Sequence, residues 1–445
     1  MVYRGRRLAT TSAAVVLSMG LIMSGVLAST AGASSAKVPG VTATQVTIGT
    51  TQPLTGIASA GYNEIGPAMS ATFAWIDSHG GVNGRKIKLI VKDDCYNVLG
   101  IAGCASSLGT VAQTHALLSV PVFATVGALG TPTQDLVRGL LNSSGVPQLM
   151  VSSGSTDWNN PNTYSGLFGW QPSYTEEGKI FAQYILATFP KANVCFLGQG
   201  DDFGTDGLKG LLDEGLTPSQ TSFYSTDALA ETNGANIEPV IAQFQSEKCT
   251  LVVLDTIPGA TDAALGYSGA LGFSPQWVIS SVGSDPVTVD APLAKEFPTD
   301  PEIGAVTFSY LPTPGSSSPW NAWMTQVMTA DYPGYTAGAP INGNERYGIA
   351  LAVTFAEALK DAGRNFTRAS FLKTLTSATL NTPALVPVRY TKSSHQGING
   401  GYLTTVTSST DESPITGTVV TTDSTLLGPI SSTQNLSSSV PGWLK

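Results

Sequence analysis

The apolar pattern is clearest between Ala71 and Asp94. Phe73, Ile76 and the apolar residues before them recur at helical spacing. Gly80-Gly81 stops that helix, because glycine takes the left-handed C-cap conformation without steric cost. Asn83-Gly84 makes a tight turn. Lys86 to Lys92 then alternates as a strand with Ile87, Leu89 and Val91 on one face. Upstream, Val46 to Thr50 is a short β-branched strand running into the loop Pro53 to Gly66. Strand, loop, helix, turn and strand open a parallel α/β sheet. Ligands bind at the carboxyl ends of such strands, so this loop is a candidate for ligand contact, with Tyr62 as a wall.

The pattern continues in the same style. A helix is expected from Ala102 to Gln113 and a strand from Val122 to Val126, then a helix from Thr133 to Leu141 and a strand from Pro147 to Ser152. Thr163 to Gln171 leads out of this unit. A second unit starts at Glu176. Helices at Gly178–Phe189, Asp206–Gly215, Ala235–Glu247 and Asp262–Leu271 alternate with strands at Asn193–Leu197, Ser222–Ser225, Leu251–Leu254 and Trp277–Ser280. Val306 to Tyr310 is its last strand. LPTPGSSSP, residues 311–319, is a proline-rich crossing, and helices follow at Trp320–Ala330 and Asn344–Gly363. The tail from Ser408 is rich in serine and threonine and reads as surface cover or partial disorder.

Several motifs together resemble the leucine/isoleucine/valine-binding family of extracellular solute-binding proteins. They are PLTG before the first helix, GGVNGRKIKL, VGALGTPT, VPQLMVSSGST, QPSYTEEG and DDFGTDGLKG, in that order, covering roughly Thr44 to Thr405. The resemblance implies two Rossmann-like lobes joined by a three-crossing hinge. Lobe 1 would comprise residues 44–172 and 312–383, lobe 2 residues 173–311 and 384–407, and the tail residues 408–445. It also implies a small-molecule solute, delivery to an ABC importer permease, no cofactor, no metal and a monomer. The family places ligand carboxylates where Gly130 opens a helix, with hydroxyls of Thr131 or Thr133 adding hydrogen bonds. Gly154, Ser155 and Thr156 would flank the same carboxylate or the ligand's amine. Phe203 would present an aromatic ring to the cleft. Thr256 falls where a tyrosine often stands, and Val282 where an acid would meet a ligand ammonium. Asp285 is close enough to substitute if its loop turns inward. The expected solute therefore carries a carboxylate or amide and an apolar body, and is not a simple α-amino acid.

Competing chemistries are poorly supported. Gly198 to Gly204 follows a strand and opens a helix, but its spacing is one residue too long for a dinucleotide fingerprint. Asp201 and Asp202 would also repel a pyrophosphate, and either can instead cap the helix. There is no GxSxG elbow, and His79, His115 and His395 are scattered. Trp158 and Trp170 read as core or hinge packing, Tyr174 equally as cleft or hinge, and Asp93-Asp94 as a cap for the following helix. A ligand sensor of the same fold is the second reading, and an α/β enzyme the third.

Charge and cysteines set the compartment. Arg4, Arg6 and Arg7 precede an apolar run from Ala13 to Ala28 and a cleavage-like Ala31-Gly32-Ala33, so residues 1–33 read as a signal peptide, with an uncleaved anchor as the competitor. No cysteine stands at the end of the apolar run, so a lipoprotein anchor is not expected. Removing three of 22 basic residues leaves 19 against 31 acids, a charge of −12, which disfavours nucleic acid. Export favours disulfides between the four cysteines. Of three possible pairings, Cys95–Cys104 staples one short loop, and Cys195–Cys249 joins two candidate neighbouring strands. Free buried thiols are the alternative, more so for the second pair.

Overall fold

The computed structural model describes residues 37–96, 104–105, 107–227, 234–293, 297, 300–422, 430–433 and 439–445. The expected signal peptide lies outside them. The first lobe is built on a five-stranded parallel sheet: β1 (Gln45–Gln52), β2 (Lys86–Asp93), β3 (Thr125–Val126), β4 (Gln148–Val151) and β5 (Leu167–Gly169), in the order β2-β1-β3-β4-β5. β1 and β2 pair from Gln45 opposite Lys86 to Gln52 opposite Asp93. Helices α1 (Ile65–Ser78), α2 (Thr110–Leu118) and α3 (Thr131–Ser143) connect these strands. Phe73 and Ile76 of α1 are buried in the core.

The second lobe contains α4 (Tyr174–Thr188), β6 (Val194–Gln199), α5 (Asp202–Asp213), β7 (Gln220–Tyr224), α6 (Glu238–Ser246), β8 (Leu251–Asp255), α7 (Pro258–Leu271), β9 (Gln276–Ile279), α8 (Pro286–Leu293) and β10 (Val306–Ser309). The chain returns through α9 (Pro319–Asp331), α10 (Gly343–Asp361) and α11 (Arg368–Leu375). α9 and α10 pack on α1, with Phe73 and Phe355 edge to face at 6.3 Å. A small hairpin of β11 (Thr379–Leu380) and β12 (Val388–Arg389) leads to β13 (Gly400–Ser408), which pairs antiparallel with β10.

The tail departs from expectation. β14 (Asp411–Pro414) folds back on β13, and β15 (Val419–Thr422) and β16 (Ile430–Thr433) extend the sheet to β16-β15-β13-β10-β9-β8-β6-β7. Val406 and Val419 are buried, so a serine- and threonine-rich stretch still carries enough β-branched residues to pair. Residues 439–445 then lie against the first lobe. The Leu444 carbonyl accepts from both Trp75 Nε1 and Trp323 Nε1 at 3.0 Å, and Trp443 Nε1 donates to Glu357 Oε1.

Other boundaries differ for local reasons. α4 starts at Tyr174 because the Ser173 hydroxyl accepts from Glu176 N, and α5 starts at Asp202 because the Asp201 carboxylate accepts from Phe203 N. α2 begins at Thr110, later than expected; residues 102–103 of the expected helix lie outside the described residues. Only Thr125–Val126 of the strand expected from Val122 is regular. The carbonyls of Val122 and Phe123 accept from the Arg368 guanidinium instead.

Both expected disulfides are present, with Cα separations of 6.1 Å for Cys95–Cys104 and 5.9 Å for Cys195–Cys249. The second spans 54 residues and fastens β6 beside the start of β8, so on loop length it restricts the unfolded chain more than the first.

Candidate functional site

The strand ends of both lobes and the crossings between them surround one cavity of about 1100 Å³, open solvent included. Seven aromatic side chains line it: Tyr62, Tyr96, Tyr174, Phe203, Phe308, Tyr310 and Tyr347. Six of the residues expected at the site are brought together there, namely Tyr62, Gly130, Thr131, Phe203, Val282 and Asp285.

Gly130 sits at the end of the β3 segment with φ of 111°, a conformation open to glycine. A Cβ there would approach the Tyr96 ring to 2.6 Å. No side chain caps α3, and its first turn holds no acid. The Thr131 hydroxyl lies 2.7 Å from Ser153 Oγ and 3.4 Å from the Tyr174 hydroxyl. Burial pushes the Tyr174 phenol up to about 12, so it stays a neutral donor at ordinary pH. An uncapped helix start with two hydroxyls beside it suits an anionic or amide oxygen. Phe203 packs on Tyr174 at 4.4 Å, so the residue after the Asp201 cap contributes to the wall: cap and wall coexist.

The other five expected residues lie off the cavity. The Thr133 hydroxyl is buried and donates to Leu129 O at 2.6 Å. Gly154 is pressed between the Pro172 carbonyl and the Tyr174 ring. The Ser155 hydroxyl accepts from Asp157 N within its own turn. Thr156 donates its N–H to Asp206 Oδ2 at 2.8 Å. Thr256 is buried, with its hydroxyl 2.6 Å from that of Thr261. Trp158 and Trp170 are fully buried and outside the cavity lining, as their core reading implied.

Asp285 does turn inward, but its oxygens are already used. Oδ1 accepts from Gly343 N at 2.8 Å, at the start of α10 in the opposite lobe, and Oδ2 accepts from the N–H and hydroxyl of Thr288. This bond, Thr156 to Asp206, and Gln199 Nε2 to the Tyr96 hydroxyl at 3.3 Å join the lobes across the cleft. Beside Val282 an acid is present behind the loop: Glu177 accepts from Ser281 N at 2.6 Å and from the Ser280 and Ser281 hydroxyls. Burial pushes Glu177 up to about 7, against those hydrogen bonds.

Asp93 and Asp94 hold loops together. Asp93 accepts from Leu54 N and the Thr55 hydroxyl, and Asp94 from Tyr96 N and the Thr110 hydroxyl that opens α2. Among the described residues no group of histidine, cysteine and acidic side chains is arranged for a metal ion, and no helix is long and apolar enough to cross a membrane.

The sequence reading missed the far wall, where Tyr310, Tyr347, Arg346, Asp411 and Glu412 line the cavity. The alternation from Tyr402 to Val406 before Ser409-Thr410-Asp411 was a usable hairpin signal for the last two.

Two α/β lobes whose strand ends close on a shared aromatic cavity define a hinged binding protein of the type I periplasmic fold. The chain belongs to the periplasmic binding protein family, matching it over residues 45–411. An amino acid binding protein of Pseudomonas aeruginosa is 23% identical over 270 residues, 54% of this chain and 68% of its own length. Among solved structures, a fatty acid ABC transporter substrate-binding protein from Thermomonospora curvata has a TM-score of 0.70 at 16% identity, covering 85% of this chain and 93% of that one. A branched chain amino acid ABC transporter protein from Thermus thermophilus, solved with bound valine, has a TM-score of 0.68 at 17% identity, covering 83% and 95%.

Proposed function

We propose that this is an exported, monomeric solute-binding protein that closes on a small carboxylate- or amide-bearing solute and delivers it to an ABC importer permease. The lobe boundaries are those the resemblance implies, with β14 to β16 added to the second lobe's sheet. The uncapped start of α3 at Gly130 and Thr131, opening into the aromatic cavity, carries this reading. The carboxylate or amide oxygen sits there, and Tyr62, Phe203 and Val282 contact the apolar body. Val282 offers no charge to an α-ammonium, while Asp285 and Glu177 are engaged with backbone N–H groups. A simple α-amino acid therefore leaves its ammonium unpaired, which is costly in a closed site.

Calorimetry with leucine, isoleucine and valine beside their 2-oxo and plain carboxylate counterparts tests this. The deaminated acids bind more tightly on this reading. Tighter binding of the amino acids would overturn it. Release of a chemically altered product would favour an enzyme instead.

A further inference from the structure

The far end of the cavity has chemistry that the carboxylate end does not explain. Asp285, Asp411 and Glu412 line it with Arg346, three acids to one base. Arg346 is only 7% exposed, and it turns Nε and Nη1 to the carbonyls of Ile341 and Pro312 and to Asn321 Oδ1. It feels all three carboxylates electrostatically, yet no ion pair joins it to any of them among the described residues. The lining therefore holds more carboxyl groups than bases; Asp285 is engaged with Gly343 and Thr288, which leaves Asp411 and Glu412 as the acids without a cationic partner among the described residues.

A second observation is independent of the acids. Tyr62 and Tyr310 line the same cavity at 6% and 7% exposure, and neither hydroxyl hydrogen-bonds to another described residue. Every other tyrosine of the lining has a hydrogen-bonded hydroxyl: Tyr96 with Gln199, Tyr174 with Ser153 and Tyr347 with Gln171. Both residues line the cavity without a described protein partner for the hydroxyl, so a ligand group that donates to it gains a hydrogen bond. An ammonium does so, and it is also attracted by aromatic faces and by surplus carboxylates.

Resting on the carboxylate or amide reading of the α3 end, we propose that the solute carries a second, cationic ammonium group, held at the far end by Asp411 and Glu412 beside Tyr62 and Tyr310. The two charges are separated along an apolar body. This accords with rejection of α-amino acids, whose ammonium would fall beside Val282.

The test is calorimetry on the whole protein with three flexible probes: pentanoate, pentylamine and 5-aminopentanoate. The expected result is that 5-aminopentanoate binds about tenfold more tightly than pentanoate, the order of one hydrogen-bonded charge. The double substitution Asp411→Asn, Glu412→Gln should erase that preference and leave pentanoate affinity and the melting temperature unchanged. Asparagine and glutamine still accept from Gly315 N and the Thr404 hydroxyl, as the acids do. Pentanoate binding as tightly as 5-aminopentanoate, or a preference that survives the double substitution, would overturn the cationic end and spare the carboxylate reading. Binding of pentylamine without pentanoate would support the cationic end and sink the carboxylate reading. Silence from all three would overturn both.

Discussion

Two strand ends meet the cleft from opposite sides, β3 leading into α3 and β6 into α5, and they are finished in opposite ways. α5 fills its own N-terminus: Asp201 accepts from Phe203 N, and Asp202 stands in the first turn. α3 begins at a glycine with φ of 111°, has proline in its first turn and carries no acid there. Both helix starts offer unpaired N–H groups and a positive dipole end. Self-capping satisfies one locally, and the missing cap leaves the other open to the cavity. Topology therefore nominates a site, and the capping residue decides whether it is vacant.

The comparison is broken most severely at Gly130. Gly130→Ala forces a side chain into a left-handed backbone and against the Tyr96 ring. Denaturant unfolding should show a loss of about 3 kcal/mol, with affinity falling as the wall moves. Unchanged stability and affinity would mean that this strand end is not shaped for a ligand.

Thr131→Val is nearly isosteric and removes a hydroxyl shared between the guest and its neighbours Ser153 and Tyr174. Calorimetry with the best carboxylate should lose about 2 kcal/mol, roughly thirtyfold in Kd, while the melting temperature moves little. A retained Kd would place the anion elsewhere.

The capped side should respond in the opposite sense. Asp201→Ala removes the cap and should cost about 1 kcal/mol of stability, with solute affinity affected less than by Thr131→Val. A larger loss of affinity than of stability would show that α5, too, serves the ligand.

The smallest effect is on pH dependence. Burial pushes Asp206 up from 3.8 to about 6, despite its hydrogen bonds from Thr156. The folded state then holds this proton more tightly than the unfolded chain, so the contribution of Asp206 to stability declines as pH rises from about 4 to about 6. Asp206→Asn still accepts from Thr156 and should flatten that part of the profile. An identical slope in the variant would assign the effect to other acids.

Much of the frame was legible because it is periodic. β1, α1 and β2 follow from alternation, helical spacing and Gly80-Gly81, and each falls within a few residues of its expected place. The starts of α4 and α5 were missed by four residues, because Thr175-Glu176-Glu177 and Asp202-Phe203-Gly204 carry no apolar period; only the caps at Ser173 and Asp201 announce them. Of the residues expected at strand ends, Tyr62, Gly130, Thr131, Phe203, Val282 and Asp285 line the cavity. Facing direction was harder. Thr131 and Thr133 differ by two residues, yet one meets the cavity and the other bonds back to Leu129. Nothing local brings Asp411 and Glu412 to Tyr310: the β13–β14 hairpin does so over roughly a hundred residues of sequence.

The docking of residues 439–445 bears on how far the jaws can open. β13 to β16 belong to the second lobe, while Leu444 is fastened by two indoles of the first. The chain is thus fastened to both lobes beyond the crossings between them. If the lobes part as the proposed function requires, any separation that strains this second fastening pulls Leu444 from Trp75 and Trp323, and indole fluorescence would report the change.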